Sequence, residues 1–181
     1  MPRPPPRPTP QKFGLADALH RGIAALREGR RGEAEKFFLA ILKSAPAHAD
    51  ARHFLGVLRF QQGRSSEAVE LLKGALRIQP KSPTLLSNLG MVMHALGRYA
   101  EALAYLDRSL ELQPDAPEAH NNRGNSLREL GRADEALASY ARSLALRPNY
   151  PEALNGRASV LMEQGQWAEV ESTLRACIAV A

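Results

Sequence analysis

Residues 97–119 read GRYAEALAYLDRSLELQPDAPEA and residues 131–153 read GRADEALASYARSLALRPNYPEA, one phrase written twice at a spacing of 34 residues. A register of this length marks an array of small structural units rather than one compact domain. Sliding the sequence against itself by 34 extends the register to five copies: residues 15–48, 49–82, 83–116, 117–150 and 151–181, the last incomplete. Glycine recurs in every copy (Gly29, Gly63, Gly97, Gly131, Gly165), as does glutamate (Glu33, Glu67, Glu101, Glu135, Glu169). A small residue follows the glutamate (Ala34, Ala68, Ala102, Ala136, then Val170), and proline closes each complete copy (Pro46, Pro80, Pro114, Pro148).

Each column has a physical reason within a helix–turn–helix unit. Leu86, Leu89, Met93 and Leu96 recur at steps of three and four, the stripe of an amphipathic helix over about 84–96. Gly97 follows the last periodic residue, where a left-handed backbone ends a helix at least cost. Glu101 falls in the first turn of the next helix, favourable to its dipole, and Leu103, Leu106 and Leu110 continue the buried stripe up to Pro114. Ala102 is small where two helices cross closely. Pro83, Pro117 and Pro151 suit the first turn of the following helix, where the missing N–H is harmless.

Composition bounds the function. At 181 residues, with 44% hydrophobic and 24% charged residues, the chain has the make-up of a soluble globular protein. There is no run of 18 apolar residues to span a membrane, and the opening MPRPPPRPTPQKFG has no apolar stretch behind its basic residues, so the sequence predicts a cytoplasmic protein without a membrane partner. The single cysteine, Cys177, excludes an internal disulfide framework and reads as a small packed hydrophobe. Of the net charge of +5, Arg3, Arg7 and Lys12 supply +3 in the first 14 residues and +2 is left for the rest. No basic stripe remains for phosphate binding, and no nucleic-acid partner is expected.

With its phrase LG…LGRYAEAL..L..SL.L.P, from Leu89 to Pro114, the chain resembles tetratricopeptide-repeat arrays over residues 15–181. The resemblance implies an all-α, right-handed superhelical solenoid of antiparallel helix pairs, whose first helices line a concave groove. One such pair cannot bury its own apolar face, so neighbours bury it together. Departures from the pattern are Arg21, Arg123 and Arg157 at leucine positions, Arg52 and His120 at an aromatic position, and Ala158 in place of the glycine aligned with Gly90. Arginine stems can cover apolar surface while the head stays wet.

If Leu86, Leu89 and Met93 face inward between helices, Ser87, Asn88, Met91 and His94 lie on the other side of the same helix. Their equivalents are Asn121, Asn122, Asn125 and Arg128 in the fourth copy, and Asn155, Gly156, Ser159 and Met162 in the fifth. An amide offers donor and acceptor together, so Asn88, Asn121, Asn122, Asn125 and Asn155, with Arg128, form the candidate peptide-binding set. The long arrays attached to O-linked sugar transferases are similar in carrying an asparagine ladder, to which Asn88 and Asn122 correspond. The alternative is that these asparagines are only solvated. A clamp for a partner's C-terminal carboxylate needs lysine or arginine where the chain has Leu19, His53, Ser87, Asn121 and Asn155, which disfavours chaperone-tail binding and leaves Arg128 alone.

No other chemistry is spelled out. His20, His48, His53, His94 and His120 lack metal-ligand spacing, and there is no phosphate-binding glycine loop or nucleophile–base set, so neither metal, cofactor nor catalytic residue is assigned. The arginine column Arg30, Arg64, Arg98 and Arg132 reads as solvated or paired with nearby glutamate. Residues 1–14 read as a disordered, proline-rich basic tail, although PPPRPTP also suits an aromatic-lined groove. The closing STLRACIAVA leaves Leu174, Ile178 and Val180 as an apolar end to be covered by further sequence or by a second copy, that is, a homo-oligomer through the C-terminal repeat. Two functions stand: an interaction scaffold gripping a peptide or partner helix, or the substrate-presenting front of a larger enzyme such as an O-linked glycosyltransferase with its catalytic domain beyond residue 181.

Overall fold

The computed structural model describes residues 14–178, without the side chains of Leu174, Ala176, Cys177 and Ile178. The expectations for the proline-rich tail, for Cys177, and for Leu174, Ile178 and Val180 lie outside the described residues and side chains. Ten α-helices follow one another among the described residues: α1 (Leu15–Arg27), α2 (Arg31–Ser44), α3 (Ala49–Gln61), α4 (Ser65–Ile78), α5 (Pro83–Ala95), α6 (Tyr99–Leu112), α7 (Pro117–Glu129), α8 (Ala133–Leu146), α9 (Pro151–Glu163) and α10 (Trp167–Ile178). They pack in sequence order as helix hairpins, α1 on α2 through α9 on α10, and each hairpin packs on the next. The architecture is an all-helical solenoid. The backbones of neighbouring first helices (α1, α3, α5, α7, α9) also approach one another closely, whereas those of neighbouring second helices stand farther apart among the described residues. The stack is therefore pinched on the first-helix side, which lines the inside of the curve.

The turns explain the repeated glycine. Gly97 has φ 71°. It lets its own N–H reach His94 O at 2.9 Å and the next N–H, of Arg98, reach Met93 O at 2.9 Å, the paired closure of a helix C-terminus. The following glutamate clasps the arginine after the glycine: Arg98 Nε and Nη2 donate to the two carboxylate oxygens of Glu101 at 2.6 and 2.7 Å. Arg64–Glu67 and Arg132–Glu135 repeat the fork. The arginine column is thus paired along the edge of the stack.

Packing bears out the stripe. Leu86, Leu89, Met93, Ala102 and Leu106 are fully buried and Leu103 nearly so, but Leu96, expected to end the stripe, is 38% exposed at the C-cap of α5. A Cβ on Gly90 would lie 2.5 Å from Leu106 Cγ, which fixes a residue without a side chain at this crossing. The departures are accommodated individually. Arg52 Nε and His120 Nε2, at equivalent positions, both donate to the carbonyl of the proline six residues earlier, Pro46 at 2.8 Å and Pro114 at 2.8 Å. Arg123 donates to Asp107 Oδ1 and to Ser139 Oγ, each at 2.7 Å. Arg21 pairs with Asp17 at 3.1 Å and Arg157 with Glu169 at 3.5 Å. Each of these polar heads finds a partner within the fold.

Candidate functional site

The inner face is built from one side of each first helix, and two hydrogen bonds cross it from helix to helix. Asn88 Nδ2 on α5 lies 2.7 Å from His53 Nε2 on α3, an amide donor against an unprotonated ring nitrogen. His94 Nδ1 on α5 lies 3.2 Å from Ser126 Oγ on α7. Ser126 Oγ spends its hydrogen on Asn122 O at 3.0 Å, so the His94 ring is the donor of that pair. Burial pushes the pKa of both histidines down, because a charged imidazolium loses hydration there. Both rings are therefore held neutral as parts of the floor.

The structure separates the candidate residues rather than treating them alike. Asn88 and Asn122 occupy the same position on α5 and α7, each half-buried. Thr84, Ser87 and Asn88 line one wall of a cavity of about 290 Å³, and Glu118 and Ala119 at the start of α7 line the other. Asn125 is half-buried and its Oδ1 accepts from the hydroxyl of Tyr140 at 2.7 Å. Asn155 on α9 is exposed. Arg128 is half-buried and donates to Glu129 Oε1 at 2.8 Å, which raises its pKa further. Asn121 is only 4% exposed. Its Oδ1 has no hydrogen-bond partner, and its Nδ2 points to Asn122 Oδ1 at 3.5 Å. Asn121 belongs to the wall, and the groove is faced by the other five.

Tyr140 is the residue that the sequence reading missed. Its side chain on α8 is fully buried, and its phenol runs between α7 and α9 to reach the groove at Asn125. Gly156 stands where α5 has Asn88 and α7 has Asn122, and a Cβ there would lie 2.6 Å from Tyr140 Cε1 and Cζ. The amide row stops at α9 because the tyrosine ring takes that space. Burial raises the Tyr140 pKa to about 12, so the phenol stays a donor. The break at Gly156, set beside the only tyrosine in its column, was the available signal. His53 was also missed as a partner of Asn88, although it stands in the same column as Asn121.

A larger groove of about 540 Å³ lies on the outer face, over α7 between α6 and α8. Its Arg123 is already bonded to Asp107 and Ser139, so its chemistry is spent within the fold. Among the described residues, no three His, Cys, Asp or Glu side chains converge as a metal site, and no helix is long and apolar enough to cross a membrane.

Three family models, each described as Tetratricopeptide repeat, match residues 19–83, 82–149 and 127–179. No curated protein matches the chain at a significant level. Among solved structures, the chain is similar to PilF of Pseudomonas aeruginosa, with a TM-score of 0.83 at 21% identity over 92% of this chain and 76% of that one. A MamA crystal structure matches with a TM-score of 0.77 at 19% identity over 88% of this chain and 93% of that one. YrrB, described as a TPR protein with an unusual peptide-binding site, matches with a TM-score of 0.74 at 22% identity over 94% and 88%. At these identities the likeness carries the fold.

Proposed function

The chain belongs to the tetratricopeptide-repeat family, and on that premise we propose that it is a protein–protein interaction scaffold holding an extended peptide or a partner helix against the first helices. The observation that carries this reading is the inner face itself. Asn88, Asn122 and Asn125 sit half-buried in a row on adjacent helices, beside a cavity walled by Ser87 and Glu118. With Asn125 Oδ1 occupied by Tyr140, its amide N–H groups are left to a peptide carbonyl. Bonds of this kind hold a main chain whatever its side chains, which suits a scaffold better than a site for one small molecule. The peptide-binding site described for YrrB gives the fold a precedent.

The same reading assigns no catalytic residue, metal or cofactor, and takes neither nucleic acid nor membrane as partner. It places the protein in the cytoplasm, and it retains self-association through the last repeat as a second mode of contact. The matched family models describe the repeat alone, and the sugar-transferase alternative draws no support from them.

Site-specific photo-crosslinking tests the proposal. A benzophenone side chain at Ser87, on the inner face, should capture one protein species from cells, and the same probe at Lys73 on α4 should not. Equal capture at both positions would contradict a groove-based function.

A further inference from the structure

The outer face repeats one groove between successive second helices, and the chemistry of that groove changes along the stack. Between α2 and α4 it is lined by Leu39, Leu42 and Leu71. Between α6 and α8 it holds Asp107 and Arg142, whose charges are closed within the fold, Asp107 on Arg123 and Arg142 on Asp115. Between these two lies a groove of about 370 Å³ that separates α4 from α6. Lys73 and Arg77 on α4 and Arg108 on α6 wall it, around Leu76, Pro80 and Tyr105.

The middle groove lacks the internal closure of its neighbour. The columns that supply Asp107 and Glu111 on α6 supply Lys73 and Arg77 on α4, so cations stand here where carboxylates stand in the next copy. Lys73, Arg77 and Arg108 make no ion pair and no hydrogen bond among the described residues, whereas Arg123 and Arg142 are each bonded to an aspartate. The carboxylate that Lys73 influences, Glu101, is already forked to Arg98. Leu76 and Tyr105 are half-buried beneath these cations, and the Tyr105 hydroxyl is likewise unbonded among the described residues. Unspent donors around a partly apolar floor favour a ligand that brings carboxylates together with an apolar side chain.

We propose that the groove between α4 and α6 is a second docking site, for an acidic segment of a partner protein. Its aspartate or glutamate side chains meet Lys73, Arg77 and Arg108, and an apolar side chain between them packs on Leu76 and Tyr105. A long polyanion suits the groove less well. Glu67 and Glu70 line the groove before it, and Asp107 and Glu111 the groove after it, so a phosphate backbone crossing either would meet like charge. A short acidic segment ends before them. The site lies on the opposite face from the asparagines and does not depend on the inner-face reading. The two faces take different partners, so a crosslinking probe at Lys73 should capture a species other than the one captured at Ser87.

A phage-displayed library of 12-residue peptides, with aspartate or glutamate at alternate positions and the others random, tests this when panned on the full chain and depleted on the Arg77→Gln/Arg108→Gln variant. The recovered peptides, made synthetically, should carry an apolar side chain among the acids. They should bind the parent about fivefold to tenfold more tightly than that variant, and less tightly as salt is raised. Arg31→Gln/Lys36→Gln removes the same charge from exposed positions on α2 and should change their affinity by less than about twofold, as should Asn88→Ala/Asn122→Ala/Asn125→Ala. No peptide that separates the parent from the Arg77→Gln/Arg108→Gln variant would overturn the proposal. Equal weakening by Arg31→Gln/Lys36→Gln would reduce the binding to net charge, and weakening by the asparagine variant would move it to the inner face; either would overturn the outer site. Displacement of the peptides by a 12-nucleotide oligothymidylate of equal affinity would overturn it in favour of nucleic acid.

Discussion

The hydroxyl of Tyr140 donates to Oδ1 of Asn125 across 2.7 Å, tying a buried second-helix side chain to the groove. The bond fixes which way the amide faces. Tyr140→Phe keeps the packing volume and removes only the donor. It should cost about 1 kcal/mol of stability, measured by urea denaturation, and should weaken peptide binding because the Asn125 amide is freed to rotate. Unchanged affinity in a folded Tyr140→Phe variant would show that amide orientation is irrelevant to binding.

A second relationship joins the first two repeats. Arg59 is 6% exposed, and its Nη2 donates to Glu35 Oε1 at 2.7 Å, with Glu67 at 3.5 Å. Hydrogen bonding to Arg59 holds the Glu35 carboxyl below its usual range. In most other copies the equivalent positions are apolar: Met93, Leu127 and Leu161 for Arg59, and Val69, Leu103 and Leu137 for Glu35, with Glu171 acidic again in the fifth. Glu35→Val alone leaves a buried guanidinium short of a partner and should cost about 1–3 kcal/mol, whereas Glu35→Val/Arg59→Met should restore stability to within about 1 kcal/mol of the parent. A double variant as unstable as the single one would show that the pair does more than replace an apolar contact.

Acidification should destabilise the fold. His53, His94 and His120 all have pKa values lowered by burial from the ordinary 6.5. The unfolded chain therefore binds more protons than the folded one once the pH drops below about 6.5, and stability present above that value is lost as the pH falls through the folded pKa values. The carboxylates lowered by their arginines, such as Glu101 beside Arg98, add their loss only below about 4.5. Tm should decline between pH 7.5 and 5.5, and His53→Gln, which keeps an acceptor for Asn88, should flatten that decline. A parent whose Tm is level over this range would contradict the assignment.

Asn121 makes the opposite kind of prediction. Its buried Oδ1 lacks a partner, and leucine stands at the equivalent position on α1. Asn121→Leu should stabilise the fold by about 1 kcal/mol in chemical denaturation. A loss of stability of the same size would show that the carbonyl is satisfied in solution.

The two levels of the account were unequally legible in the sequence. Gly97, Glu101, Ala102 and Pro114 each repeat because a turn, a cap or a helix crossing imposes one residue type, so the register alone predicted the hairpins and their order. The groove obeys no such rule. Asn121 and Asn155 occupy the same column, yet one is 4% exposed and the other faces solvent. Their difference arises from side chains on neighbouring helices, which a single-helix phase argument does not include. Tyr140 reached the site for the same reason, through the space left by Gly156 one repeat later.

The most direct test of the scaffold is a titration of the partner captured at Ser87 against the Asn88→Ala/Asn122→Ala/Asn125→Ala variant, with circular dichroism confirming that the helices persist. Each lost bond to the partner is worth about 0.5–1.5 kcal/mol, so affinity should fall at least tenfold. A folded triple variant that binds as tightly as the parent would show that the asparagines are merely solvated and that the inner face does not hold the partner through them.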